Sequence, residues 1–422
     1  MRILILTQWY PPEPAMLLQE LAQSLQGRGH QVTVLTGFPN YPSGQLYPGY
    51  RVRLRQRETL AGVPVVRVPL YPEHSRSGLR RAINYVSFAL SATLMGLLSV
   101  PRPDVMFVYH PPLTVGLPAY VLSRLWRRPF VYQIQDMWPE TLIATGMFSN
   151  RRLLDWIGRF ASWIYGKAHS ILVISPGFRQ NLLGKGVPTQ KIHVVSNWVD
   201  PGTYFRAEPD PQLAQELSLD GHFNIMFAGN MGEAQGLETV IEAARLLQED
   251  ALADPSATPG QALSTAEGEK RPPQLVLVGD GVALPRLQAL AEQQGLSNVR
   301  FLGRYPASKM PRLYALADAL LVHLKDDPLF RITIPHKTLA YLASGKPILA
   351  AVAGDVADLV ESIGAGVTCP PQNPAALAAA IRQLQAMPVG QRQAMGERGA
   401  LAAQTRFSRD LLTSEIEAVL QQ

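Results

Sequence analysis

Cysteine is almost missing from this chain: Cys369 is the one example in 422 residues. No internal disulfide can form, so stability has to come from cores, and a reducing compartment is expected. Charged residues make up 17% and aromatics 8%, against 47% hydrophobic. That balance excludes a disordered or low-complexity chain and is enough for two domains with sizeable cores. No Asp-x-Asp triplet occurs, so a Mg²⁺ or Mn²⁺ clamp of that kind is not supported. There is no Walker phosphate loop either, which leaves out the P-loop nucleotide hydrolases. Acidic charge is scarce in the first half. Residues 1–200 hold 21 Lys and Arg against nine Asp and Glu, while residues 201–422 hold 18 against 24. A basic half beside an acidic one points to an anionic partner for the N-terminal part, nucleic acid or a membrane surface.

What is present is alternation. Short apolar runs at 2–7, 31–36, 63–68, 105–109, 130–135, 170–174 and 192–195 read as strands. Helical periods at 16–27, 80–100, 113–126, 153–168 and 176–183 fall between them. The second half repeats the style. Strands are expected at 223–228, 274–278, 299–302, 319–323, 347–351 and 366–368, with helices at 238–248, 283–293, 309–315, 336–343, 356–362, 374–384 and 391–405. The opening run 1–7 reads as a buried first strand rather than a leader. Such alternation predicts an α/β chain of two Rossmann-like domains with parallel sheets, facing an interdomain cleft, with ligands at the carboxyl ends of the strands. The domains are expected at 1–205 and 206–405, with a helix at 406–422 returning to the first. Residues 250–273 have no period and read as a surface loop.

The stretch 82–100 has 19 residues and no charge. It follows Arg76, Arg80 and Arg81 and stops at Pro101 and Pro103. It is expected to be a crossover helix partly exposed at a membrane surface, with Tyr85, Phe88 and Leu90 in the interface and the arginines on lipid phosphates. No nucleic-acid partner is expected.

The most informative segment is Phe227-Ala-Gly-Asn-Met-Gly-Glu-Ala-Gln-Gly-Leu237. It ends a strand in a glycine-bearing turn before a helix, a geometry that exposes main-chain N–H groups to an anion. Gly229, Asn230, Gly232, Gln235 and Gly236 line that turn. Arg331 and Lys337 bring two cations before a later helix, and the set reads as a diphosphate pocket that needs no metal. Gly279, Asp280, Gly303, Arg304 and Tyr305 lie at neighbouring strand ends, where a nucleotide base and ribose are expected. Gly354-Asp355-Val356-Ala357 opens another helix and offers a second anion or sugar-hydroxyl site. In the first half, Asp136, Trp138 and Glu140 follow a buried strand and His110 ends another. Asp136, Glu140 and His110 are the candidate catalytic groups. Glu13 and Trp138 are placed with the acceptor. His30 and His193 read as ordinary surface or packing residues.

Eight segments occur in a characteristic order: Gln8-Trp-Tyr-Pro-Pro-Glu13, Gly27-Arg-Gly-His30, Thr36-Gly-Phe-Pro-Asn-Tyr-Pro42, Asp136-Met-Trp-Pro-Glu140, Ser196-Asn-Trp-Val-Asp200, the turn at 229–237, Gly279-Asp-Gly281, and Asp327-Pro-Leu-Phe-Arg331 with Pro335-His-Lys337. From residue 1 to about 385 the chain resembles the family 4 glycosyltransferases of GT-B fold, in the branch that builds colanic acid, O-antigen and other exopolysaccharides. The resemblance implies retaining, metal-independent transfer of a sugar from a nucleotide-sugar donor to a lipid-linked glycan. With the basic first half and the helix at 82–100, the protein is expected to attach peripherally to the cytoplasmic face of the cell membrane. No cofactor is implied. The chain departs from the wider family at the Glu-x7-Glu pair, where Ile332 and Ala340 stand, at the first loop, which reads Pro12-Glu-Pro-Ala15, and at Gln235, where a Lys is usual. The alternative readings are a nucleotide-sugar epimerase or hydrolase on the same fold, and a non-catalytic assembly partner.

Overall fold

The computed structural model describes residues 1–75, 77–144, 150–253 and 272–422. Arg76 and most of the expected loop at 250–273 lie outside the described residues. The chain divides into two compact units, residues 1–197 with 409–422, and residues 198–408.

Unit 1 runs β1 (Arg2–Leu6), α1 (Met16–Gly27), β2 (Gln31–Gly37), β3 (Gln56–Leu60), β4 (Val63–Val68), α2 (Gly78–Ser99), β5 (Val105–His110), α3 (Gly116–Trp126), β6 (Phe130–Ile134), α4 (Glu140–Ala144), α5 (Arg151–Lys167), β7 (Ser170–Val173), α6 (Pro176–Gly184) and β8 (Ile192–Val194). Its sheet order is β3-β4-β2-β1-β5-β6-β7-β8. All neighbours are parallel except β3 and β4. Central strands such as β5 and β6 are buried almost throughout, which is why they read as continuous apolar runs. Strand β3 has no counterpart in the periodicity. Its sequence, Gln-Arg-Glu-Thr-Leu, is polar, and it pairs only as an edge through the tight turn Ala61-Gly62, both at positive φ (50° and 84°). That is the hairpin turn whose twist matches the strands.

Unit 2 runs α7 (Pro211–Glu216), β9 (Asn224–Ala228), α8 (Glu238–Ala253), β10 (Gln274–Val278), α9 (Leu284–Gln293), β11 (Val299–Gly303), α10 (Met310–Ala315), β12 (Ala319–His323), α11 (Pro328–Arg331), α12 (His336–Ala343), β13 (Ile348–Ala351), α13 (Asp355–Ile363), β14 (Gly366–Cys369), α14 (Pro374–Ala386) and α15 (Val389–Arg406). The sheet is parallel, in the order β11-β10-β9-β12-β13-β14. The final helix, α16 (Arg409–Leu420), belongs to unit 1. Arg28 donates to Ser414 and Glu417 at 2.8 and 2.9 Å, and His30 meets Glu417 at 2.7 Å.

In each sheet the strand order reverses once, between β1 and β5 in unit 1 and between β9 and β12 in unit 2. Crevices at the carboxyl ends of such strand pairs are where doubly wound folds bind ligands. Those ends carry Gln8 and His110 in unit 1, and Gly229 and His323 in unit 2.

Helix α2 corrects the expectation for the interface. Phe88 is wholly buried, and Tyr85 packs against Trp138 with ring centroids 6.4 Å apart. Of the three residues expected outside, only Leu90 is well exposed. The polar stripe faces the domain instead. Asn84 accepts from Gln8 and donates to the Tyr71 carbonyl, Ser87 accepts from the Tyr71 N–H, and Ser91 donates to the Pro69 carbonyl. The outward stripe is apolar: Leu79, Ile83, Val86, Leu90, Leu94 and Leu98.

Candidate active site

The reversal in unit 2 is built around Gly229. Strand β9 is buried, and the Tyr341 hydroxyl anchors its end, accepting from the Ala228 N–H at 2.8 Å and donating to its carbonyl at 3.0 Å. The chain then turns through Gly229 (φ 146°). The Gly229 N–H donates to the Val278 carbonyl at 2.9 Å, and the Met231 N–H to that of Asp280 at 2.8 Å. Gly279 and Gly281 make this close approach possible. A Cβ at 279 would strike the Gly229 carbonyl and one at 281 the Met231 carbonyl. After a single turn at Glu233–Gln235 and left-handed Gly236, α8 begins. Among the described residues, the N–H groups of Gly232 and Leu237 have no acceptor.

Lys337, in the first turn of α12, reaches this loop. Its ammonium donates to Gln235 Oε1 at 2.7 Å, lies 3.9 Å over the Phe227 ring and flanks Gly229. Although part of the side chain meets solvent, desolvation of the ammonium pulls its pKa down to about 7. A Lys at position 235 would set ammonium against ammonium; Gln235 supplies an acceptor instead. His323 completes the group. Its Nδ1 lies 2.5 Å from the Gln235 carbonyl, so that nitrogen carries the proton, while Nε2 is buried without a partner. Burial lowers the His323 pKa, outweighing that hydrogen bond, and the ring is neutral. His323 was missed in the sequence. The strand-end argument applied to His110 would have found it.

In unit 1, Asp136 follows β6 and burial lifts its carboxyl to about 6. Its charge acts on Tyr41, Tyr85 and Tyr109, whose phenols are held above their usual values first by burial. His110 is fully buried, neither ring nitrogen has a partner, and burial lowers it to about 3, so it is neutral. The Trp138 ring meets it edge-on at 5.7 Å. Trp9 stacks on Tyr41 at 4.5 Å. A recessed carboxylate and an unsatisfied imidazole thus lie among aromatic rings at the ends of β5 and β6.

Residues 14–198 match the glycosyl transferase 4-like domain family, and residues 210–401 match glycosyl transferases group 1. This chain belongs to the family 4 glycosyltransferases of GT-B fold. It is 28% identical over 402 residues to the putative colanic acid biosynthesis glycosyl transferase WcaI of Escherichia coli, covering 92% of this chain and 93% of that one. It is 24% identical to the probable glycosyltransferase WbjE of Pseudomonas aeruginosa over 276 residues, 64% of this chain and 62% of that one. The crystal structure of Anabaena Alr3699/HepE in complex with UDP superposes over the full length of both chains with a TM-score of 0.70 at 18% identity.

Several expected site residues of this glycosyltransferase have other occupations. Both Glu13 oxygens are taken by main-chain N–H groups, Oε2 by Tyr10 and Oε1 by Asn40 and Tyr41, at 2.9–3.0 Å. Glu13 ties the first loop to the third rather than meeting an acceptor. Glu13→Ala strands those three buried donors, and a loss of about 1–3 kcal/mol or more in urea unfolding is expected. Glu140 is ion-paired to Lys185 at 2.6 Å and accepts from Asn181. Burial raises its pKa, but those partners outweigh it and hold the carboxyl below the usual value. It is a brace between α4 and α6, not a free acid. Arg331 is exposed and grips Asp326 through two bonds of 2.7 and 2.9 Å, so it does not join Lys337. Asp327 caps α11 through the Leu329 N–H, which brings Asp326 within reach.

On the nucleotide side, Asp280 accepts from the Gly281 N–H at 2.7 Å, and the Gly303 carbonyl accepts from the Gly279 N–H at 2.8 Å. Arg304 and Asn230 are exposed and Tyr305 leans on the core. Ala340 is buried in the core and offers no group to a ribose. Helix α13 opens at Gly354, but Asp355 and Asp358 fill its first turn and oppose a second anion there.

Proposed function

We propose that this glycosyltransferase moves a sugar from a UDP-sugar to a lipid-linked glycan in cell-surface polysaccharide synthesis, with retention and without a metal. The observation that carries the donor reading is Lys337 held against Gly229 and Gln235 at the strand reversal of unit 2. In this reading the diphosphate replaces Gln235 as the partner of the Lys337 ammonium and takes the free N–H groups of the glycine turn. Charge developing on the leaving group is met by donors already in place. Neutralisation of the diphosphate is thus assigned to Lys337 and these amides.

On the acceptor side, Asp136 is ionised at neutral pH and stabilises positive charge on the sugar ring. Neutral His110, buried under the edge of Trp138, supports the site from beneath. The bond from the anomeric carbon to the diphosphate breaks, and the acceptor oxygen bonds to the same face. The acceptor proton passes to the departing phosphate oxygen. The UDP in the HepE structure and the colanic acid assignment of WcaI support the nucleotide and the product class.

The acceptor's lipid requires a surface. The outward apolar stripe of α2 and the basic N-terminal half support peripheral attachment to the inner face of the cell membrane. A thermal-shift screen of UDP-, GDP- and dTDP-sugars tests the donor, since a bound ligand raises the melting temperature by mass action. A rise with UDP-sugars alone is expected, followed by product formation on a polyprenyl-diphosphate glycan in EDTA. A rise confined to GDP-sugars, or turnover abolished by EDTA, would refute the reading.

A further inference from the structure

We infer that α5 is a second membrane-binding element, its aromatic face entering an anionic lipid surface beside α2. This rests on the peripheral attachment proposed above and assigns residues that the sequence pattern did not single out. The core face of α5 is Leu154, Ile157, Ala161, Ile164 and Tyr165. One residue back from four of these, about 100° around the helix, stands a second apolar row of Leu153, Trp156, Phe160 and Trp163. Trp156 is 62% exposed and Trp163 37%. The rings form a ladder, with Trp156 on Phe160 at 5.7 Å and Phe160 on Trp163 at 5.8 Å, their planes nearly parallel. Tyr120 of α3 closes on Trp163 at 4.7 Å. Isolated surface hydrophobics are ordinary, but a stacked row along one helix face is a binding surface.

Charge chooses the occupant. Helix α3 packs against both α2 and α5. Together the three helices carry Arg80, Arg81, Arg124, Arg151, Arg152, Arg159 and Lys167, and a single acid, Asp155. Tryptophan belongs at the depth where headgroups meet acyl chains, and arginine beside it pairs with lipid phosphate. Helix α2 is apolar where it faces solvent as well as over much of the face it buries, unlike a surface helix in water, whose outer face is polar. An acidic protein partner would satisfy the cations but not two apolar rows.

The test is flotation of the full chain with phosphatidylcholine vesicles containing about one-third phosphatidylglycerol, with thermal melts as a folding control. Trp156→Ala/Trp163→Ala is expected to raise the lipid concentration for half-binding about tenfold, as is Leu90→Ser/Leu94→Ser on α2. Trp156→Phe/Trp163→Phe should still bind but lose most fluorescence quenching by brominated acyl chains. If wild type floats, the α2 variant does not, and Trp156→Ala/Trp163→Ala floats like wild type, the α5 assignment is overturned while membrane attachment stands. If wild type ignores these vesicles, attachment itself fails. A wild-type dimer in sedimentation that Trp156→Ala/Trp163→Ala dissociates would assign the row to a second copy of the chain and also overturn it.

Discussion

Lys337→Met is expected to lower UDP-sugar turnover by about 10²–10³-fold, because it removes the cation set against the departing diphosphate. The same substitution should raise the melting temperature of the unliganded protein below neutral pH. The sign follows from linkage. An unfolded lysine titrates near 10.5, and in the fold Lys337 titrates near 7. Between those values the unfolded chain binds the extra proton, so stability falls as pH drops across the window, and the cost of the buried ammonium is present in full below it. Methionine has no such cost. Donor affinity carries the opposite dependence. The ammonium is charged below about pH 7, so wild-type affinity for UDP should weaken from about pH 6 to about pH 9, and the Lys337→Met variant should show no such slope. Calorimetry over that range checks it. A variant that both melts earlier and binds UDP like wild type would place Lys337 in the scaffold and not in the site.

Asp136→Asn is expected to cost about 10²–10³-fold in kcat with little change in donor affinity. Its carboxyl titrates near 6 against an ordinary 3.8. The wild-type rate should therefore fall on acidification through about pH 6, as the anion that steadies the sugar cation is protonated. The raised pKa also means that Asp136 favours folding below 3.8, and that this contribution is lost as pH rises through 6. Asparagine, always neutral, should leave the melting temperature unchanged or higher at neutral pH. Glu13, lifted to about 7 mainly by burial, titrates in the same region but holds three main-chain N–H groups. The two are separable. If Asp136→Asn keeps kcat, or keeps an acid limb identical to wild type, the limb belongs to Glu13 or another group and the role given to Asp136 fails.

Much of this was legible before any coordinates. The buried strands of both sheets are apolar runs of a length only a strand accommodates, and α1 and α12 have the bounds their periodicity predicts. The glycine turn at 229–236 follows the buried strand β9 as its pattern predicts. Strand β3 was illegible because an edge strand has no buried face to write an alternation, and Ala61 hid the turn. The fates of Glu13 and Glu140 were hidden for a different reason. Their partners, the Asn40 main-chain amide and the Lys185 ammonium, leave no periodic mark. The ion pair of Arg331 with Asp326 was legible as a rival reading, five residues away in the chain.

From the amino-acid order alone came two parallel α/β layers, the strand ends where ligands gather, and a family. Which of two neighbouring cations enters the site was decided only by the fold. Arg331 ends a one-turn helix within reach of Asp326, and its guanidinium is satisfied at the surface. Lys337 opens a helix whose Thr338, Leu339, Tyr341 and Leu342 are buried in unit 2, and that burial carries its ammonium against Gly229. Local sequence lists the charges available. Packing selects which of them are desolvated, and desolvation is what makes a charge strong enough to act on a phosphate.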